Sequence, residues 1–125
     1  MSTSASDLAG LLQDLVGRVP GVGQAVVLSA GGDVVARSGG ADDAGCVGLA
    51  SVSAGLLSAA RGANQSMPTG AVYEIIVEFE LALIVVMGIS DGSTLAVSAT
   101  RPYDIGVVAY EMALLTDRAA WRKSA

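Results

Sequence analysis

The residue order predicts an α+β fold: a five-stranded antiparallel sheet with helices on both faces, in the order α-β-β-α-β-β-β-α. Three observations carry that expectation. An apolar helical period opens the chain, and two later segments carry helix start and stop signals. Five short β-rich runs lie between the helical segments, joined by brief turns. No strand-helix repeat is present to demand a doubly wound parallel sheet.

Leu8, Leu11, Leu12, Leu15, Val16 and Val19 follow the i, i+3, i+4, i+7 spacing of one helix face. Ser6 is the expected N-cap, Asp7 suits the positive end of the dipole, and Pro20-Gly21 stops the helix. Gln24–Ser29 and Val34–Ser38 flank Ala30-Gly31-Gly32-Asp33, the pattern of a hairpin. Gly39-Gly40-Ala41 breaks the chain. Asp42 can then cap a second helix to about Ala60, with Arg61 as its basic end and Gly62 as its stop.

After a loop over 63–70, Val72–Phe79 alternates as a half-exposed strand. Tyr73, Ile75, Val77 and Phe79 share one face; Val72, Glu74, Ile76 and Glu78 share the other. The apolar run Leu81–Ile89 reads as a strand covered on both sides. Ser90-Asp91-Gly92-Ser93 turns the chain into Leu95–Thr100, completing a meander. Asp104 is the expected cap of a last helix from Ile105 to about Arg122, and Arg118, Arg122 and Lys123 favour its negative end. Residues 1–125 read as one domain with a core over about 7–120 and frayed ends at 1–5 and 123–125.

Seven Lys and Arg against twelve Asp and Glu leave a net charge of −5, with no histidine. A single lysine, Lys123, argues against nucleic-acid binding and against docking on an anionic membrane. Without histidine the usual neutral-pH base and the commonest metal ligand are missing. The lone Cys46 permits no internal disulfide, which fits a reducing compartment. Residues 1–6 lack the features of a signal peptide, and the Leu81–Ile89 run is well short of the roughly 20 residues of a membrane helix. The expectation is a cytoplasmic protein with no membrane insertion.

Chemistry-bearing motifs are weak, and no catalytic, metal-binding or cofactor-binding residue is expected. Gly21-Val22-Gly23 starts a strand rather than a helix, so no helix N-terminus is aimed at a phosphate. Cys46 falls on the expected sheet-facing stripe of the second helix and has no histidine to activate it. Glu74, Glu78 and Glu80 read as a solvated edge rather than a metal or acid/base site. Asn64-Gln65-Ser66 matches a glycosylation sequon by chance.

The second helix is the informative one, because it carries no charge from Ala44 to Ala60. At 100° per residue, Cys46, Leu49, Ala50, Ser53, Leu56, Leu57 and Ala60 gather on one side. Gly48, Ser51, Val52, Gly55, Ala59 and Gly62 gather on the other. Gly48 and Gly55 together cost roughly 2 kcal/mol of helix stability relative to alanine, which close approach of another backbone would offset. Burial of both faces explains the glycines and the missing charge together. The expected homodimer interface is therefore Gly48, Ser51, Val52, Gly55 and Ala59, with Glu74, Ile76 and Glu78 if the strand edge joins it. Glu74 and Glu78 read equally as gatekeepers against edge pairing or as the rim of a self-paired edge.

Three stretches carry a family resemblance. Gly23–Gly32 (GQAVVLSAGG) resembles the first hairpin of the roadblock/dynein light chain family. Val52–Gly62 (VSAGLLSAARG) is similar to the end of its second helix, and Asp104–Met112 (DIGVVAYEM) to the start of its last. The similarity covers roughly residues 7–120 and is nearest to short, stand-alone actinobacterial members. Gly31-Gly32-Asp33 departs from the family pattern, where an acid often precedes the glycine; this bears on hairpin geometry.

The resemblance implies a five-stranded sheet between helices, no catalytic centre, and dimerisation through the second helix and third strand. It also implies regulation or scaffolding of a small Ras-like GTPase, alongside a sensor-kinase-like protein. Charges on the outer helices, Asp14, Arg18, Glu111, Arg118 and Arg122, offer a partner surface for that GTPase. The alternative is a small-molecule sensory module of profilin-like or related α/β/α fold.

Overall fold

Every expected element forms, in the expected order. The computed structural model describes residues 5–39 and 44–124, with side chains over 6–39 and 44–117. Its elements are α1 (Ala5–Arg18), β1 (Val22–Leu28), β2 (Val34–Arg37), α2 (Ala44–Gly62), β3 (Glu74–Glu78), β4 (Ala82–Gly88), β5 (Thr94–Thr100) and α3 (Ile105–Ser124). The strands make one sheet in the order β2-β1-β5-β4-β3, antiparallel throughout. The β1–β2 hairpin and the β3–β4–β5 meander meet where Val26 of β1 lies opposite Ala96 of β5. β2 and β3 are left as the two edges.

Strand alternation splits the core into two layers. On one face Ala25, Val27, Leu83, Val85 and Val97 pack under Leu8, Leu12 and Leu15 of α1 and Val108, Met112 and Leu115 of α3. On the other face Val26, Leu28, Val86 and Ala96 pack under Cys46, Leu49, Ala50 and Leu57 of α2. The periods of α1 and α2 read from the residue order are the ones that bury. Cys46 is fully enclosed, its thiol donating to the Ser38 carbonyl at 3.2 Å, as expected of a small core residue.

Most element ends differ from the expected ones by one or two residues, and the ends of α1, α2 and β3 show why. α1 includes Ser6, so that residue sits inside the first turn rather than capping it. α2 ends at Gly62 as expected, but without a left-handed cap: the Gly62 φ of −61° is right-handed, and the chain runs on into a 3-10 turn, Ala63–Gln65. The loop is closed instead by Asn64, whose Oδ1 accepts from the Thr69 N–H at 3.2 Å, the Thr69 hydroxyl at 3.4 Å and the Gly70 N–H at 3.3 Å. β3 starts at Glu74 rather than Val72, because Val72 turns in against the α2 core while only the Tyr73 carbonyl still reaches Gly88. Asp104 caps α3 as expected, accepting from the Val107 N–H at 3.2 Å. The expected cap Asp42 lies outside the described residues, as do 1–4 and 125 of the expected frayed ends.

Counted with the turn that follows it, α2 is a 22-residue segment long and apolar enough to cross a membrane. No uninterrupted apolar run signals this, because serines and glycines punctuate the helix. Its Leu49, Ala50, Ser53 and Leu57 are nonetheless buried against the sheet.

Two positions test the packing. Gly21 has φ +89°, and a Cβ there would stand 2.6 Å from the Pro102 carbonyl oxygen and 2.8 Å from that of Thr100. Both neighbours are backbone, so Gly21→Ala is expected to lose at least about 2 kcal/mol in urea unfolding. The Ser53 hydroxyl is buried without a hydrogen-bond partner among the described residues. Ser53→Ala is therefore expected to be neutral or to raise stability by about 1 kcal/mol in the same assay, whereas a loss above that would reveal a missed partner.

Candidate protein interaction surface

α2 turns its unusual stripe to solvent. Gly48, Ser51, Val52, Gly55 and Ala59 are all exposed, opposite the buried Cys46, Leu49, Ala50, Ser53 and Leu57. Val47 and Val52 are 54% and 47% exposed, large values for valine in a helix. A Cβ at Gly48, Gly55 or Gly62 would meet nothing within 4 Å. Nothing within the described chain requires glycine at those helical positions. The stripe is smooth, apolar and uncharged, and it stands beside a sheet face that α2 covers incompletely. α2 lies mainly over β1 and β5, so Ile75, Val77 and Ile84 on the β3–β4 side are only partly buried.

The β3 edge adds backbone groups to this surface. Phe79 donates its N–H to Ala82 at 2.7 Å, and the Tyr73 carbonyl accepts from Gly88 at 3.1 Å. In the register that pairs Ile75 with Val86 and Val77 with Ile84, these odd-numbered residues are the ones that bond to β4. Glu74, Ile76 and Glu78 therefore aim their N–H and C=O groups away from the sheet. Their side chains lie on the α1/α3 face, since their partners are Met87, Val85 and Leu83. The sequence-selected edge residues thus carry the unpaired backbone, with side chains on the face opposite α2.

The outer helices bring three of the five selected charges together. Arg18 Nε lies 2.8 Å from Asp14 Oδ2, and its Nη1 lies 3.0 Å from Glu111 Oε1. One guanidinium thereby clips α1 to α3, and the hydrogen bonds it donates to Asp14 and then to Glu111 raise its pKa above the ordinary arginine value. Such exposed pairs contribute about 0.2–1 kcal/mol each. The side chains of Arg118 and Arg122 lie outside the described residues.

Reading along the chain missed a cluster beside β3. The Tyr103 hydroxyl donates to Glu78 Oε2 at 2.8 Å, and Arg101 Nη2 stands 3.7 Å from the same oxygen. Arg101 is held by its Nε–H donated to the Glu80 carbonyl at 2.8 Å and by the Tyr103 ring 5.3 Å away. Only the aromatic and basic residues around Pro102 hinted at it. Elsewhere an open cleft of about 850 Å³ runs from Leu57, Arg61 and Asn64 past the β4–β5 turn to Thr116 and Asp117. Among the described residues, no three His, Cys, Asp or Glu side chains converge to hold a metal ion.

The Glu78–Tyr103 bond has a measurable consequence. The carboxylate accepts from the neutral phenol and pushes the Tyr103 pKa above its ordinary 10.0. The bond's contribution is complete below that ordinary value and is lost as pH rises through the raised one. Ultraviolet titration of Glu78→Gln is expected to bring one tyrosine down toward its ordinary pKa; unchanged curves would remove the coupling.

A comparison with curated protein sequences gives no match. Among solved structures, a Roadblock/LC7 domain from Streptomyces avermitilis is 35% identical, covers 88% of this chain and 92% of its own, and superposes with a TM-score of 0.77. Myxococcus xanthus MglB shares the fold at 14% identity and TM-score 0.78, covering 92% of this chain and 93% of its own. The gliding protein MglB from Thermus thermophilus does so at 15% and 0.80, covering 96% and 90%. The Roadblock/LC7 domain model matches residues 8–99, from the first buried leucine of α1 to the end of the sheet, and the chain belongs to the Roadblock/LC7 family.

Proposed function

We propose that this chain is a homodimeric, non-catalytic regulator or scaffold for a small Ras-like GTPase in bacterial cytoplasmic signalling. The observation that carries the reading is the bare α2 stripe: Gly48, Ser51, Val52, Gly55 and Ala59 are exposed and uncharged, and a Cβ at either glycine would meet no described residue within 4 Å. Two copies of α2 crossing there would bring backbones close where no Cβ intervenes, offsetting the roughly 2 kcal/mol that Gly48 and Gly55 cost the helix. The outward N–H and C=O groups of Glu74, Ile76 and Glu78 supply a second contact by joining the two β3 edges. An isologous interface using both should bury about 1,600 Å² or more in total.

The GTPase partner comes from family membership and from the resemblance to actinobacterial members. Asp14, Arg18 and Glu111, with Arg118 and Arg122 of α3, are the proposed partner surface, their charges tuning encounter and choice rather than affinity. A sensor-kinase-like protein is the proposed upstream partner. The small-molecule reading keeps one observation, the 850 Å³ cleft, which falls within the usual ligand-pocket range. The cleft is open, however, and its lining Arg61 and Asp117 do not form an ion pair. A bare helix face calls for a protein more strongly than an open cleft calls for a ligand.

Gly55→Arg places a long cation on the stripe and is expected to give monomer or aggregate. Sedimentation equilibrium should find wild type as a dimer at micromolar concentration, and a wild-type monomer would sink the dimer. Titrating a small bacterial Ras-like GTPase, in both nucleotide states, against wild type and the Gly55→Arg monomer tests the rest. Binding by the dimer alone is the expected result. Equal binding by both forms rejects the dimer requirement, and no binding in either nucleotide state rejects the GTPase.

A further inference from the structure

The β3 edge restricts how two copies can join. Its outward backbone groups belong to Glu74, Ile76 and Glu78. A twofold antiparallel pairing that uses all of them centres on Ile76, so Ile76 meets its own copy and Glu74 meets Glu78 of the second copy. That register sets two Glu–Glu pairs on the α1/α3 face, with Cβ atoms about 5 Å apart, a destabilising arrangement when left uncompensated.

The chain holds a cation at that spot. Arg101 lies 3.7 Å from Glu78, anchored by the Glu80 carbonyl and the Tyr103 ring, and its side chain is 56% exposed. Its two polar contacts use only Nε and Nη2 of a guanidinium that carries five donors, and the third contact is with the Tyr103 ring. The Glu74 side chain makes no ion pair or hydrogen bond with any described residue. One carboxylate therefore waits without a counter-ion, and across the seam an arginine waits beside the other.

We infer that Arg101 is the residue that permits β3 to pair with its own copy: from its anchored place beside Glu78 it also engages Glu74 of the second copy, turning each Glu–Glu clash into a Glu–Arg–Glu triad. The inference rests on the proposed dimer and deepens it. The triad occurs twice by symmetry, and it selects partners. An edge lacking an acid at the Glu74 position, or an arginine at the Arg101 position, meets unmatched charge, so a second copy is preferred over an unrelated strand.

Sedimentation equilibrium of the full chain at low salt tests this with Arg101→Gln, Arg101→Lys, Glu74→Gln and the Arg101→Gln/Glu74→Gln double variant. Arg101→Gln is expected to weaken dimerisation about tenfold, the sum of two exposed ion-pair contributions. Arg101→Lys, which keeps the charge but loses the guanidinium's several donors, should fall between wild type and Arg101→Gln. Glu74→Gln should restore most of the loss in the Arg101→Gln background, because it removes the clash that the arginine masked. A wild-type monomer removes the dimer and this inference with it. A wild-type dimer with undiminished Arg101→Gln association, or a loss that Glu74→Gln does not recover, overturns the role of Arg101 and leaves the dimer standing.

Discussion

One helix cannot cover five strands. A five-stranded sheet is roughly 19 Å across at the usual strand spacing, while a helix with its side chains is about 10–12 Å wide. The fold meets this on one face with two helices, α1 over β1 and β2 and α3 over β4. On the other face there is only α2, seated mainly over β1 and β5. The remaining strip, with Ile75, Val77 and Ile84 half-buried, runs out to the open β3 edge. Everything distinctive about the surface follows from that shortfall. The proposed dimer supplies a second α2 where the chain has none, and it closes the edge in the same step.

Charge is distributed in step with that geometry. α2 carries none before Arg61, which leaves its outer stripe cheap to desolvate. The two-helix face carries the ion pairs, with Arg18 bracing α1 against α3 through Asp14 and Glu111. The acids of β3 also turn their side chains to that second face and leave only backbone at the edge. A polar face and a bare face on opposite sides of one sheet suit two partners of different kinds. One would be a copy that demands close apolar contact, the other a protein recognised through exposed charge.

Glycine has two opposite meanings in this chain. At Gly21 the left-handed backbone and the carbonyls of Thr100 and Pro102 leave no room for a side chain, so that glycine is explained inside the molecule. At Gly48 and Gly55 there is room for any side chain, and the helix would gain from one. Among the described residues an explanation therefore exists for the first and not for the other two, which is why the second helix points outward for its reason.

The residues alone determined what is periodic. The α1 stripe, the two sides of α2, the burial of Cys46, the Asp104 cap and the order of elements follow from spacings of two and 3.6, which need only neighbours in sequence. Those spacings also marked the candidate site, since Gly48, Ser51, Val52, Gly55 and Ala59 emerge on one helix face before any strand is placed. They placed the end of α2 at Gly62 but not its means, since that glycine is right-handed and the loop beyond it is closed by Asn64, which accepts from Thr69 and Gly70. Only the tertiary structure decided which face of the sheet receives Glu74, Ile76 and Glu78 and which way their backbone points, because both depend on the register with β4. It alone brought Arg18 to Glu111 and Arg101 to Glu78, partners distant in sequence whose meeting depends on how helices and strands stack. Local periodicity is written in the chain, whereas pairing across the fold arises only when the elements pack.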